Sequence, residues 1–212
     1  MASTFDRRVV PETILEFIRR SQEVVPCHLT GGAALSGAYL SHRLSRDVDL
    51  ACHTRDDVRR LVVVLQELAT SSRIVLDSGV FVRTDLGTGM TLDITFEGTP
   101  DLEPSTTIEG IQVESLADLR ASKLTCIVSR SEPRDLVDLL FLERKGYRPE
   151  EDIHLALRKD AGMDPGIVAW LLGSFPVEPL PVMLHPLSVG ELTAYRDDLR
   201  ERMRRLAVPE EP

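Results

Sequence analysis

The 212-residue chain, 42% hydrophobic and 28% charged, has the make-up of a globular protein long enough to bury a sizeable core, with or without a second, smaller lobe. Its formal charge of −9 counts against broad, non-specific nucleic-acid binding, which rests on neutralising phosphates, while a local basic groove stays open. No apolar run approaches the roughly 18 residues of a membrane span, and the opening MASTFDRRVVPETILEF lacks a long apolar stretch with a small-residue cleavage site, so a cytoplasmic protein with no membrane partner is expected.

Residues 11–24, PETILEFIRRSQEV, open with Pro11 and Glu12 and put Ile14, Leu15, Phe17 and Ile18 near one face, which predicts an amphipathic helix. CHLTGG reads as a short strand ending at glycines, and AALSGAYLS as a short helix of small residues. DVDLAC alternates as a strand, and residues 55–71 form a further helix. Three β-rich runs follow, RIVLDS, VFVRTDL and MTLDITF, separated by Ser-Gly and Gly-Thr-Gly turns, and IEGIQVES is read as one more strand.

From Ser115 the pattern becomes helical, with Ser115 a candidate cap and Pro133 near the start of the second helix. Further helices are expected in HLALRKDAG, PGIVAWLLGSF and SVGELTAYRDDLRERMRRLA, between Pro-rich joints. Trp170 is expected in the core. The organisation is therefore a mixed α/β core over 1–114 and a helical lobe over 115–212. Cys27, Cys52 and Cys126 are odd in number and set apart in apolar stretches, which favours free thiols. The Arg-Arg pairs at 7–8, 19–20 and 59–60 and RMRR at 202–205 read as solvated helix faces, one of which could hold a polyanion.

The chemistry concentrates in two places. Asp47 and Asp49 are two apart on a strand, so both point to one face while Val48 and Leu50 point to the other. Two such carboxylates repel unless a cation sits between them, and Mg²⁺ or Mn²⁺ resolves that conflict. The plainer alternative is a strand with a solvated polar face. Asp93, flanked by Leu92 and Ile94, offers a third acid; if its strand pairs beside DVDL, the three converge on a two-metal site of the phosphoryl-transfer kind. Gly31 and Gly32 let backbone approach a phosphate, with the next helix offering free N–H groups.

Ser45 lies on the side of the acids and suits a phosphate oxygen, or simply caps the strand start. Lys123 lies in a helix pattern with Leu119, Leu124 and Ile127, either as a point charge for a triphosphate or as a snorkelling surface lysine. Asp135 and Asp138, i and i+3 on one helix face, are open to three readings: holding base or ribose, assisting Lys123, or pairing with Arg130 and Arg134. His28, His53, His154 and His185 show no ligand spacing.

Taken together, GGAAL…HRLSRDVDL resembles the Gly-Gly…Asp-x-Asp signature of the DNA polymerase beta nucleotidyltransferase superfamily. More narrowly it is similar to the AbiEii/AbiGii-type nucleotidyltransferase toxin family, MenT-type toxins included. That family's His/Met-Arg-x-Ser-x-Asp-[Ile/Val]-Asp segment matches His42, Arg43, Ser45, Asp47 and Asp49. Its third acid matches Asp93, its later lysine Lys123, and its Arg-Asp-x-x-Asp-Leu motif Arg134, Asp135, Asp138 and Leu139. The four motifs occur in order along nearly the whole chain. Ala33 departs from the serine that many superfamily members carry after the glycines, so one phosphate hydrogen bond is either lost or moved to Ser45.

The resemblance implies an α+β fold, a polymerase-beta-like core followed by a helical lobe closing the cleft. It implies transfer of a nucleoside monophosphate from an NTP to a tRNA 3′ end or protein hydroxyl by the toxin of a type IV-like toxin–antitoxin pair, with a cognate antitoxin as partner. Asp47, Asp49, Asp93, Lys123 and Asp138 are then catalytic; Gly31, Gly32, Arg43, Ser45, Lys123 and Asp135 bind nucleotide; Asp47, Asp49 and Asp93 hold Mg²⁺ or Mn²⁺. A small-molecule (antibiotic-type) nucleotidyltransferase and a non-catalytic nucleotide-binding module are the alternatives.

Overall fold

A computed structural model of the chain describes residues 4–69, 71–87 and 89–208. The first three residues of the N-terminal stretch, Thr70 at the foot of the helix expected over 55–71, and Thr88 within the expected Gly-Thr-Gly turn lie outside the described residues. The chain divides into two compact units, 1–116 and 117–212.

The first unit is built on a seven-stranded mixed sheet. Its strands are β1 (His28–Thr30), β2 (Asp47–Cys52), β3 (Arg73–Asp77), β4 (Phe81–Asp85), β5 (Thr91–Phe96), β6 (Thr106–Ile108) and β7 (Ile111–Val113), in the spatial order β3-β4-β5-β2-β1-β7-β6. β2 runs parallel to β5 and β1 parallel to β7; the other neighbours are antiparallel. IEGIQVES is thus a correction: it is not one strand. Glu109 and Gly110 both take positive φ (48° and 79°), turning the chain back so that Thr106–Ile108 and Ile111–Val113 pair as a hairpin.

Alternation on the central strands separates two chemistries. Leu29, Val48, Leu50, Leu92, Ile94 and Val82 are fully or almost fully buried on one face. Against that face pack α1 (Glu12–Val24), through Ile14, Leu15 and Ile18, and α3 (Arg55–Leu68), through Val58, Leu61 and Leu65. α3 starts sharply because Thr54 and Asp57 cap each other: the Thr54 hydroxyl accepts from the Asp57 amide (3.0 Å) and donates to its carboxylate (2.6 Å). The odd-numbered residues of β2 and β5, the acids among them, take the other face.

The second unit is helical: α4 (Leu116–Ser129, its first residue still in the first unit), α5 (Pro133–Arg144), α6 (Ile153–Lys159), α7 (Pro165–Leu172) and α8 (Val189–Ala207). Pro133 occupies the first turn of α5 as its missing N–H allows, Asp164 caps α7 and Ser188 caps α8. Trp170 corrects the expectation of a core role. α7 turns Val168, Ala169 and Leu172 inward, and the indole between them in sequence is 77% exposed.

The cysteines are free. No helix among the described residues is long and apolar enough to cross a membrane. Most of the arginine clusters are committed to acids: Arg7 to Glu12 and Glu109, Arg8 to Asp6, Arg60 to Asp57, Arg202 to Glu143, Glu150 and Asp198, and Arg204 and Arg205 to Glu201.

Candidate active site

The parallel register of β2 and β5 sets Asp47 opposite Thr91 and Asp49 opposite Asp93. Asp49 and Asp93 are thus same-face neighbours on adjacent strands, about 4.8 Å apart at Cα. From the same spacing and a rise of ~3.3 Å per residue, the Asp47 and Asp93 Cα atoms lie about 8 Å apart. Asp47 accepts a hydrogen bond from the Thr91 hydroxyl at 2.8 Å, which fixes one of its oxygens.

Asp93 is buried, and both its oxygens are held by Arg83 on β4, whose Nε donates to Oδ1 at 2.8 Å and Nη2 to Oδ2 at 2.6 Å. Arg83 sits opposite Asp93 in the β4–β5 register. Its bonds to Asp93 push the guanidinium's pKa up, and the charges of Asp47 and Asp49 push it the same way. Sequence reasoning passed over Arg83. The signal was present in VFVRTDL, where an arginine stands at a period-two position of a strand predicted next to the acid-bearing one.

The glycines fit this face closely. Gly31 follows Thr30, the register partner of Asp49, and takes φ +69°. A Cβ there would lie 2.2 Å from Asp49 Oδ2, and one on Gly32 would lie 2.7 Å from Arg43 Nη2 and 3.3 Å from Ser45 Oγ. The two glycines therefore leave room for the acid and for the arginine. α2 (Gly31–Ala34) starts at these residues and runs on as a π-helical stretch, Leu35–Leu40, which ends at Ser41 in the left-handed region. Such stretches collect at functional sites.

Arg43 is almost wholly buried. Its backbone is pinned by Ser36, whose hydroxyl donates to the Arg43 carbonyl (2.6 Å) and accepts from its amide (3.2 Å). Its Nη1 donates to the Leu44 carbonyl. Ser45 Oγ donates to the Asp47 carbonyl at 3.0 Å, so the hydroxyl braces the strand start. Glu114, buried beside the end of β1 and bonded by the Thr30 hydroxyl, is a second residue that no sequence pattern singled out.

Gly31→Ala is expected to destabilise the protein by at least ~2 kcal/mol, since a left-handed φ for alanine adds to the clash with Asp49. Gly32→Ala should cost less, because its nearest obstacle is the end of a long side chain. Thermal unfolding of both variants checks this. A Gly31→Ala protein that melts like the wild type contradicts the geometry.

The acids fit a hard divalent ion in type and placement: oxygen donors from two strands share a face that already draws a cation to itself. Asp47 and Asp49 are the pair that the strand period offers to such an ion, and Asp93 has to exchange its Arg83 bonds to join them.

In the helical unit, Lys123 is buried and its Nζ lies 2.8 Å from Asp138 Oδ2 and 3.3 Å from Asp135 Oδ1. Both aspartates have no exposed surface, and Asp135 also accepts two bonds from Arg130 at 2.8 Å. Arg134 pairs with Glu132 instead. The motif residues Lys123, Asp135 and Asp138 thus form one ionic cluster, and the lysine is not a surface one.

A family model described as the AbiEii nucleotidyl transferase toxin of a type IV toxin–antitoxin system matches residues 14–211. No curated protein matches the sequence. Among solved structures, a nucleotidyltransferase from Helicobacter pylori superposes with a TM-score of 0.59 at 22% identity, over 92% of this chain and 94% of that one. JHP933, also from H. pylori, gives 0.58 at 21% identity, over 94% of each chain. MenT4, a nucleotidyltransferase toxin of Mycobacterium tuberculosis, gives 0.52 at 15% identity, over 92% of this chain and 87% of that one. These likenesses establish a polymerase-beta-like nucleotidyltransferase fold.

Proposed function

We propose a function from one premise: the chain belongs to the AbiEii family of nucleotidyl transferase toxins, and is a nucleotidyltransferase. The reaction is transfer of a nucleoside monophosphate from an NTP to a hydroxyl of a macromolecule, the tRNA 3′ end first and a protein side chain second, with release of pyrophosphate. The observation that carries it is the in-register placement of Asp49 and Asp93 with Asp47 on one sheet face, against a glycine turn. Asp47 and Asp49, with Asp93, would hold Mg²⁺ or Mn²⁺, which when bound would neutralise charge at the reacting phosphate and the leaving pyrophosphate.

The chain's own residues do the rest. The Gly31-Gly32 turn brings backbone N–H groups to a phosphate, and the Arg43 guanidinium beneath Gly32 adds positive charge without crowding it. Ser45, beside that guanidinium, reaches the same anion by turning its hydroxyl away from the Asp47 carbonyl. The acceptor oxygen attacks the α-phosphorus as the bond to pyrophosphate breaks, and Asp93, once one of its oxygens is released by Arg83, takes the acceptor's proton. The nucleotide-binding role of Lys123 and Asp135 and the catalytic role of Lys123 and Asp138 rest on the order of motifs in the chain. Family membership supports a cognate antitoxin as partner and an NTP as substrate.

The test is to incubate the protein with each labelled NTP, Mg²⁺ and total cellular RNA or protein extract. Label on the 3′ end of RNA, lost on adding EDTA, is the expected result. Label confined to small molecules moves the protein to the antibiotic-modifying class, and NTP binding without any transfer leaves it a nucleotide-binding module.

A further inference from the structure

The sheet brings together three residues that no motif connects. His28 opens β1, His53 follows the last residue of β2, and Asp101 lies in the segment joining β5 to β6. One ligand atom from each lies within 4.8 Å of the other two. The imidazole rings are 5.3 Å apart at their centroids, and His28 is 6% exposed. This cluster lies beyond the far end of β2 from Asp47: His53 is four residues past Asp49, on the order of 13 Å along the strand. It is outside the acid-bearing site.

The hydrogen bonding around it asks for a cation. His53 Nδ1 faces the Glu97 carbonyl at 3.3 Å, and a carbonyl can only accept, so Nδ1 carries the proton. The other ring nitrogen, Nε2, faces Asp101 Oδ2 at 3.3 Å. With the proton on Nδ1, a neutral ring turns its Nε2 lone pair toward a carboxylate, which is repulsive unless a positive charge lies between them. The second oxygen of Asp101, Oδ1, is buried and accepts no hydrogen bond from the described residues, an unusual condition for a buried acceptor. A further proton on Nε2 would satisfy one contact, and leaves Asp101 Oδ1 still without a donor among the described residues.

We propose that His28, His53 and Asp101 form a binding site for a divalent transition metal of the zinc class, separate from the Asp47–Asp49 pair. Two imidazoles and one carboxylate are the donor set that Zn²⁺ and Co²⁺ accept and that Mg²⁺, which keeps to oxygens, does not favour. The Glu97 carbonyl on Nδ1 is the outer-shell partner that orients a metal-binding histidine. Donors about a tetrahedral zinc stand about 3.4 Å apart. Closure of at most ~1.4 Å by the half-exposed His53 and Asp101 therefore completes the set. Bound metal ties the 97–105 segment to the ends of β1 and β2.

The experiment uses full-length protein without a polyhistidine tag. Zn²⁺ binding is measured by calorimetry, and Co²⁺ serves as a visible-absorption probe. His53→Ala and Asp101→Asn are the informative variants, because both side chains are partly exposed and neither loss should unfold the chain. One equivalent of Zn²⁺ is expected in the wild type and equally in Asp47→Asn/Asp49→Asn. Each cluster variant should bind at least ~10-fold more weakly. Hydrogen exchange in the 97–105 segment should slow on adding Zn²⁺ in the wild type alone. Three results overturn the proposal: no uptake by the wild type, equal uptake by His53→Ala, or uptake that disappears with Asp47 and Asp49.

Discussion

Asp49→Ala is expected to abolish nucleotidyl transfer while leaving the unfolding midpoint little changed. The reasoning is electrostatic. Asp49 has acidic neighbours on its own sheet face, Asp93 by register and Asp47 two residues away, so deleting its charge removes like-charge repulsion from the folded state together with its attraction to Arg83, and the two offset. It also removes the group whose oxygen sits against Gly31, at a position where the backbone has already made room. The loss of transfer has a different origin, because an ion held by the remaining acids no longer has a ligand at the centre of the site. A contribution of several kcal/mol to the transition state corresponds to a fall on the order of 10³-fold.

Asp47→Ala should lose activity comparably and be less stable than Asp49→Ala by about 1 kcal/mol, since the Thr91 hydroxyl loses its acceptor. Melting curves and label transfer, read on the same samples, separate the two effects. Transfer retained in the Asp47→Ala/Asp49→Ala double variant removes the catalytic assignment.

How far this site was legible follows from how local each signal is. Asp47 and Asp49 declare a shared face because the strand period is two, and Val48 between them and Leu50 after them are fully buried as that period requires. The glycine pair was legible as a turn, but its reason was not. Only the pairing of Thr30 with Asp49 shows that Gly31 must lack a Cβ to accommodate the acid. Arg83 lies ten residues from Asp93 and needs the β4–β5 register to meet it. His28, His53 and Asp101 are farther apart still, so no ligand spacing could betray them; the start of β1, the exit of β2 and the segment between β5 and β6 bring them together. Trp170 failed for the opposite reason. The apolar run PGIVAWLLGSF is short enough that hydrophobicity alone cannot say which residue faces out.

Lys123→Ala is expected to destabilise the helical unit by about 3–5 kcal/mol, the cost of removing one partner from a buried ionic cluster. For a unit of this size that is a fall in melting temperature of more than about 10 °C. The ammonium is within 3.3 Å of two carboxylates that have no exposed surface. Asp135 retains its two bonds from Arg130 when the lysine is lost, so the charge that loses an ammonium at 2.8 Å is that of Asp138. Neutralising that charge is therefore the remedy: Lys123→Ala/Asp138→Asn should recover a large part of the lost stability. Lys123→Arg should recover little, because a wide planar fork replaces a compact ammonium in a filled site. Urea unfolding of the full-length chain measures the stability, and label transfer on the stabilised double variant supplies the second reading. Stability recovered with transfer still absent assigns these residues to nucleotide chemistry as well as to the fold. Stability and transfer recovered together make the cluster a structural brace, and a Lys123→Ala protein as stable as the wild type contradicts the buried pairing itself.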